Sequence, residues 1–443
     1  MMNKYEKYKA SNIEWIESVP KHWKLGAVKH CFKFKVGFTP PTSNSEFYDE
    51  DLGFDWVTIS DIDRKFIYKT KNKISKKAIE ACSKDIVPAG SLMYSFKLSV
   101  GKVAFAGKDV YTNEAIFSIL PDEELELSYY YYSLPSILIH NANENIYGAK
   151  IFNQEVIKNS RLPIPPKIEQ ARIACFLDHQ TAIIDEIIQR KEKQIELLKK
   201  KRQSIINEVV TKGLNPNAKM KDSSIEWLGK VPEDWKIVRL RFLGKCQNGV
   251  SQSGDYFGTG DPFVSYGDVY KNDALPDCVK GLAESSESDK ENYSVIEGDV
   301  FFTRTSETIE EIGLSSVCLS TIHDAVFAGF LIRFRPYENI LFKGYSRYFF
   351  RSLVPRVHFV KEMNLVTRAS LSQELLKSLP VCLPNIDEQK VIASFLDGKV
   401  LQISELVQSN EKAIKKLKEY RQSLISEAVT GKIDVRDWQP NKN

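Results

Sequence analysis

Ile13-Glu14-Trp15-Ile16-Glu17-Ser18-Val19-Pro20-Lys21-His22-Trp23 comes back as Ile225-Glu226-Trp227-Leu228-Gly229-Lys230-Val231-Pro232-Glu233-Asp234-Trp235, 212 residues further along. The tryptophans and the Val-Pro pair keep their places. A second set returns at a spacing of 219: Phe176-Leu177-Asp178 and Arg202-Gln203-Ser204 reappear as Phe395-Leu396-Asp397 and Arg421-Gln422-Ser423. A unit this long cannot be one turn of a solenoid. The chain reads as one module used twice.

At 443 residues it is too long for a single core, and its 42% hydrophobic and 27% charged content is ordinary for a globular protein. No apolar run approaches the roughly 20 residues that span a bilayer, and the polar, Lys/Tyr-rich start lacks a signal-peptide core. The seven cysteines are scattered and never spaced Cys-x-x-Cys, which argues against disulfides and structural zinc and favours a reducing cytoplasm. A net charge of +4 permits nucleic-acid binding without demanding it.

Ile184, Ile188, Lys191, Ile195, Leu198, Arg202, Ile205 and Val209 alternate steps of four and three, the rule of a coiled-coil seam. At a spacing of 219 the same seam runs Ile403, Val407, Asn410, Ile414, Leu417, Arg421, Leu424 and Ala428. The spacing predicts two helices of roughly 30 to 35 residues, each about 50 Å long, within about 169–211 and about 387–430. Two copies of a module close most simply about a pseudo-twofold axis, which makes the helices antiparallel. That register sets Ile184 against Ala428, Ile188 against Leu424, Ile195 against Leu417, Leu198 against Ile414, Ile205 against Val407 and Val209 against Ile403. Lys191 then faces Arg421, and Arg202 faces Asn410. These cations either snorkel to water or a nearby Glu, or fix register and meet carboxylates of a partner subunit.

The proline-rich stretches Leu162-Pro163-Ile164-Pro165-Pro166 and Leu379-Pro380-Val381-Cys382-Leu383-Pro384 cannot be helix interior and predict extended connectors into the helices. The resulting segments are 1–22, a first body at 23–161, a central region at 162–234, a second body at 235–378 and a closing region at 379–443. Both bodies mix short β-rich runs with turns. Asp61 matches Asp268, and Val87 to Tyr94 matches Val295 to Phe302 as a turn feeding an apolar strand. Tyr129-Tyr130-Tyr131-Tyr132-Ser133-Leu134 aligns with Tyr348-Phe349-Phe350-Arg351-Ser352-Leu353, again at 219, and reads as core rather than as a base-stacking platform. The fold class is α+β: two similar bodies and two long antiparallel helices, with internal pseudo-twofold symmetry.

No catalytic constellation is visible. Gly249 to Gly254 is followed by Asp255 and Tyr256, not by the Lys-Ser/Thr of a phosphate loop. The Asn/Asp-Pro-Pro-aromatic tetrapeptide of amino-methyltransferases is missing, the six histidines lack metal spacing, and Asp397-Gly398-Lys399 opens a helix rather than a nuclease site. The chain is read as non-catalytic, with no metal and no cofactor of its own.

With these elements in order, twice, the chain resembles the specificity subunit of type I restriction-modification systems over essentially its whole length. The resemblance rests on 13–23 with its copy at 225–235, on the Pro-rich connectors followed by Glu169-Gln170 and Glu388-Gln389, and on the Arg-Gln-Ser helices. It implies two target-recognition domains, each reading half of a split site in double-stranded DNA. It also implies two docked adenine methyltransferase subunits that carry S-adenosylmethionine, and two restriction/translocase subunits that use ATP and Mg. Because the bodies have diverged, the expected target is asymmetric and bipartite, with a fixed spacer.

Loops carry recognition, and polar or basic side chains read base edges. In the first body the candidates are Lys35, Thr39, Ser60, Arg64, Ser95, Lys97, Tyr147 and Lys150. In the second they are Asn248, Ser251, Ser253, Tyr266, Tyr270, Arg304, Thr305, Ser306, Thr367 and Arg368. The competing reading is a non-catalytic coiled-coil scaffold whose two heads bind protein; a fused restriction-methylation enzyme is a third, set back by its missing motifs.

Overall fold

The computed structural model describes every residue except 1–2, 83–84, 98, 142, 145–149, 253, 307–311, 363–368 and 441–443. It divides into two compact units, Met1–Lys191 with Lys412–Asn443, and Glu192–Glu411. The division runs through the middle of the two longest elements, helices Lys167–Lys212 and Ile386–Val429. Each unit thus holds the first half of one long helix, the second half of the other, and one body. At 1.5 Å per residue the helices are about 69 and 66 Å long. No described helix is long and apolar enough to cross a membrane.

All sixteen heptad positions named above are buried or half-buried, while Ile183, Ile187, Leu197, Leu401 and Leu406 on the same helices are exposed. Direction is legible inside each unit. In the first, Asp185 meets Arg421 while Phe176 and His179 pack on Trp438, so numbers rise on one segment as they fall on the other. In the second, a Cβ on Gly213 would lie 3.4 Å from Glu388, whereas Arg202 and Asp397 are linked through Asp273 and Arg347. The helix segments run antiparallel in both.

Two of the seam cations, Arg421 and Arg202, meet aspartates of their own chain. Arg421 grips Asp185 with two hydrogen bonds, 2.9 and 3.2 Å. Arg202 lies 3.5 Å from Asp273. Asp185 sits beside a seam residue, where heptad flanks carry charges. Asp273 comes from the body, a neighbour that helical spacing cannot reveal. Asp397-Gly398-Lys399 lies within the second helix rather than at its opening, because the helix already starts at Ile386.

The frame around the helices repeats hydrogen bond by hydrogen bond. Connector Arg161–Ile164 pairs antiparallel with Lys24–Ala27, and Pro380–Leu383 pairs antiparallel with Lys236–Arg239. Buried Gln170 donates to the Pro165 carbonyl (2.9 Å) and accepts from the Glu126 amide (3.2 Å). Buried Gln389 does the same with Pro384 (3.0 Å) and Phe342 (2.8 Å). The short helices Leu127–Leu138 and Lys343–Phe349 dock through tyrosines. Tyr129 donates to the Val429 carbonyl, and Tyr345 to that of Val210. Tyr132 reaches Asp178, and Tyr348 reaches Asp397, each at 2.5 Å. The spatial correspondence is therefore 216, one helical turn away from the 219 that sequence alone suggests, and the second copy keeps its hydroxyls. A slip of three residues nearly preserves a helix face, so an aromatic run cannot fix its own register.

In each body the two larger sheets have the same strand order as their counterparts. In the first, Phe34–Val36, Ile116–Ile119, Leu92–Ser95 and Val103–Ala106 lie side by side, with Phe66–Ile67 added at the edge; in the second the order is Gly244–Asn248, Leu331–Pro336, Val300–Thr303 and Ser315–Val317. The smaller sheets match too. Tyr111–Thr112, Phe54–Val57 and Asn72–Ile74 correspond to Val326–Phe327, Phe257–Val264 and Gly281–Ala283, each with one parallel and one antiparallel pair. In the larger sheets the central strands Leu92–Ser95 and Val300–Thr303 are buried on both faces and read as near-continuous apolar runs.

Candidate nucleic-acid interface

Both bodies turn out of the smaller sheet with the same device. The Asp61 carboxylate accepts from the Thr58 amide and hydroxyl, both at 2.8 Å, and Asp268 accepts from the Ser265 amide (2.9 Å) and hydroxyl (2.7 Å). This reciprocal cap fixes where the next turn begins. The turn residues themselves differ: half-buried Ile59 and exposed Ser60 in one body, Tyr266 and Gly267 in the other.

In the first body, exposed candidates are Thr39, whose hydroxyl donates to Glu114, Ser60, which meets the Thr58 hydroxyl at 2.9 Å, and Arg64, which pairs with Asp63. Exposed Lys97 lies over the Phe96 ring. Two candidates are structural instead. Lys35 is held by the Ile86 carbonyl (2.9 Å) and Asp85 (3.5 Å). Ser95 is fully buried, and its hydroxyl accepts from the Lys102 amide at 3.0 Å, closing the turn after its strand. Lys150 belongs to a two-residue strand, Lys150–Ile151, and Tyr147 lies outside the described residues.

The second body gathers its candidates more closely. Tyr266 stacks on Tyr270 (5.9 Å between centroids) and donates to the Thr305 carbonyl at 3.1 Å. Half-exposed Arg304 comes just before, its amide bonded to the Phe330 carbonyl and its carbonyl to the Leu371 amide. Thr305 and Ser306 form a short strand paired with Ala369–Ser370. Asn248 accepts from Gln373 at 3.0 Å, and Ser251 is exposed. Ser253, Thr367 and Arg368 lie outside the described residues. Sequence reasoning misses Phe330, largely exposed beside Arg304, and Gln373. An unpaired aromatic in a β-turn carries no polar signal.

A second repeated feature lies along the helices. In the second unit a groove of about 710 Å³ is lined by Gln203, Ser204, Asn207 and Glu208 opposite Trp227 and Leu353. In the first unit a groove of about 430 Å³ is lined by Gln422, Ser423, Ser426 and Glu427 opposite Ile139 and His140. The repeated Gln-Ser pair faces an open groove in both. Among the described residues no three His, Cys, Asp or Glu side chains converge on a metal site.

The family model for the type I restriction modification DNA specificity domain matches residues 20–197 and again 232–419. The type I restriction enzyme MjaIX specificity subunit of Methanocaldococcus jannaschii is 23% identical over 441 residues, spanning 95% of this chain and 96% of its own. The EcoKI specificity subunit of Escherichia coli is 26% identical over 388 residues, 85% and 78% of the two chains. A structure from a type I R-M system aligns with TM-score 0.72 at 17% identity, covering 94% of this chain and 99% of the other. The HsdS subunit of Thermoanaerobacter tengcongensis aligns at 0.53 and 18%, covering 94% and 98%. At such identities the structural likeness speaks for the fold.

Proposed function

Since the chain belongs to the type I restriction-modification DNA specificity family, with the family domain present twice, we propose that each body reads one half of an asymmetric bipartite DNA site. The observation that carries this reading is the pairing of an identical frame with unlike loops. Capping carboxylates, sheet order and docking tyrosines coincide, while the residues inside each capped turn do not. Framework conservation with loop divergence is the pattern of a rigid scaffold presenting different recognition surfaces. The long helices fix the spacing of the half-sites.

The duplicated grooves, together with exposed Ile183, Ile187, Leu401 and Leu406, are the surfaces for two methyltransferase subunits. Methylation of adenine draws on S-adenosylmethionine held by those partners, and cleavage on ATP and Mg held by two restriction/translocase subunits. This chain contributes recognition rather than catalysis. The test is an anisotropy titration of the chain reconstituted with its methyltransferase against a library of duplexes. A strong preference for one bipartite sequence is expected; equal binding to every duplex would overturn the reading and leave a protein-binding scaffold.

A further inference from the structure

The second unit contains a cationic pocket that adjoins the groove described above, sharing Gln203 and Leu353 with it, but is lined mainly by other residues. Its volume is about 630 Å³, within the range of small-ligand sites. Arg202 lines it from the long helix, Arg347 and Arg356 from helices Lys343–Phe349 and Leu353–Glu362, and Arg351 from the turn between them. Lys199 and Lys271 stand at its exposed rim. Against these six cations the lining has one carboxylate, Asp273, which Arg347 (3.0 Å) and Arg202 (3.5 Å) share. Asp397, just behind, takes a second contact from Arg347 at 3.5 Å.

The donors exceed the acceptors as well. Arg351 is spent on main-chain carbonyls, among them Val269 (2.9 Å) and Asn272 (2.6 Å). The Nε atoms of Arg202 and Arg347, in contrast, are buried without an acceptor among the described residues. Buried guanidinium donors in a cleft with surplus positive charge favour an oxyanion that accepts from several at once. The pocket's arginine set is not repeated in the first unit. At the spatial correspondence of 216, Arg347, Arg351 and Arg356 become Tyr131, Pro135 and His140 in the first unit. There the region is closed instead by Lys65 on Asp178 at 2.5 Å, with the Lys65 ammonium over the Tyr131 ring.

The geometry points to a phosphoryl-binding site in this pocket, taking either a free polyphosphate or a phosphate of the DNA backbone. It stands independently of which bases the bodies read. The test is calorimetric titration of the full chain with inorganic tripolyphosphate, for wild type and for the double variant Lys199→Glu/Lys271→Glu. Both lysines are exposed, so the variant keeps its melting temperature. Wild type should bind and the variant should lose about tenfold or more in affinity. Displacement of tripolyphosphate by a short duplex of arbitrary sequence assigns the backbone as the source, and failure to displace it assigns a free polyphosphate. Absence of tripolyphosphate binding, equal binding by both proteins, or capture of a glutamate oligomer that tripolyphosphate does not displace would overturn the proposal.

Discussion

Asp299 has no exposed surface, and Arg335 meets it with two hydrogen bonds of 2.7 and 2.6 Å. The same carboxylate accepts from the Ile296 amide at 2.9 Å, so it holds the turn before strand Val300–Thr303 as well as a cation. Removing one partner of such a pair leaves the other uncompensated, so Asp299→Ala should cost about 3 kcal/mol in urea unfolding. Arg304 lies just past the end of that strand and is half-exposed. If it reads a guanine, Arg304→Ala lowers discrimination between specific and mismatched duplexes by about 1–3 kcal/mol; uniform weakening on all duplexes marks a phosphate contact instead. The thiols give a pH test. Burial pushes Cys382 from 9.0 up to about 12, so the unfolded chain releases this proton first. Stability therefore falls as pH rises between those two values. Alkylation at mild alkaline pH should label exposed Cys175 and Cys278 and leave Cys318 and Cys382 unmodified until the chain unfolds, as mass spectrometry would show.

Among the elements, the joint between connector, short helix and long helix depends on one glutamine in each unit. Gln389 donates to the Pro384 and Ile340 carbonyls, both at 3.0 Å, and accepts the Phe342 amide. Gln389→Leu strands three main-chain groups in a dry site, at a cost of about 1–3 kcal/mol for each that water cannot reach. Gln389→Glu keeps the acceptor but sets a carboxylate oxygen against both carbonyls in a dry site, so at neutral pH it should be no milder than Gln389→Leu in thermal melts. Elements of this kind differ in how far sequence reveals them. The long helices are legible because a heptad is a local, periodic signal that a second copy repeats. The caps at Asp61 and Asp268 are legible as a matched pair. The tyrosine helices are misplaced by sequence alone, because their register depends on carbonyls at Val210 and Val429, far away along the chain. Lys35 and Ser95 fail as surface candidates for a related reason: their partners Asp85 and Lys102 come from turns whose closure is a tertiary event.

For the molecule as a whole, the two units apply one architecture to different chemistry. Where the second body exposes Arg304 after strand Val300–Thr303, the first has Phe96, which is buried. Where the second stacks Tyr266 on Tyr270 in its capped turn, the first has Ile59, which can neither stack nor donate. A guanidinium and a phenol offer hydrogen-bonding groups that an aliphatic side chain lacks, so under the proposed function the two bodies select unlike base sequences. If each body reads one half-site, as proposed, helices of nearly equal length keep the half-site separation constant while the half-site sequences differ. Methylome sequencing of cells carrying this chain with its methyltransferase should therefore return two unequal short motifs separated by an unspecified spacer of a single length. A spacer of variable length would show that the helices do not set the distance. A continuous or palindromic motif would show that the two bodies read alike despite their loops, and the assignment of one half-site to each body would fall with it.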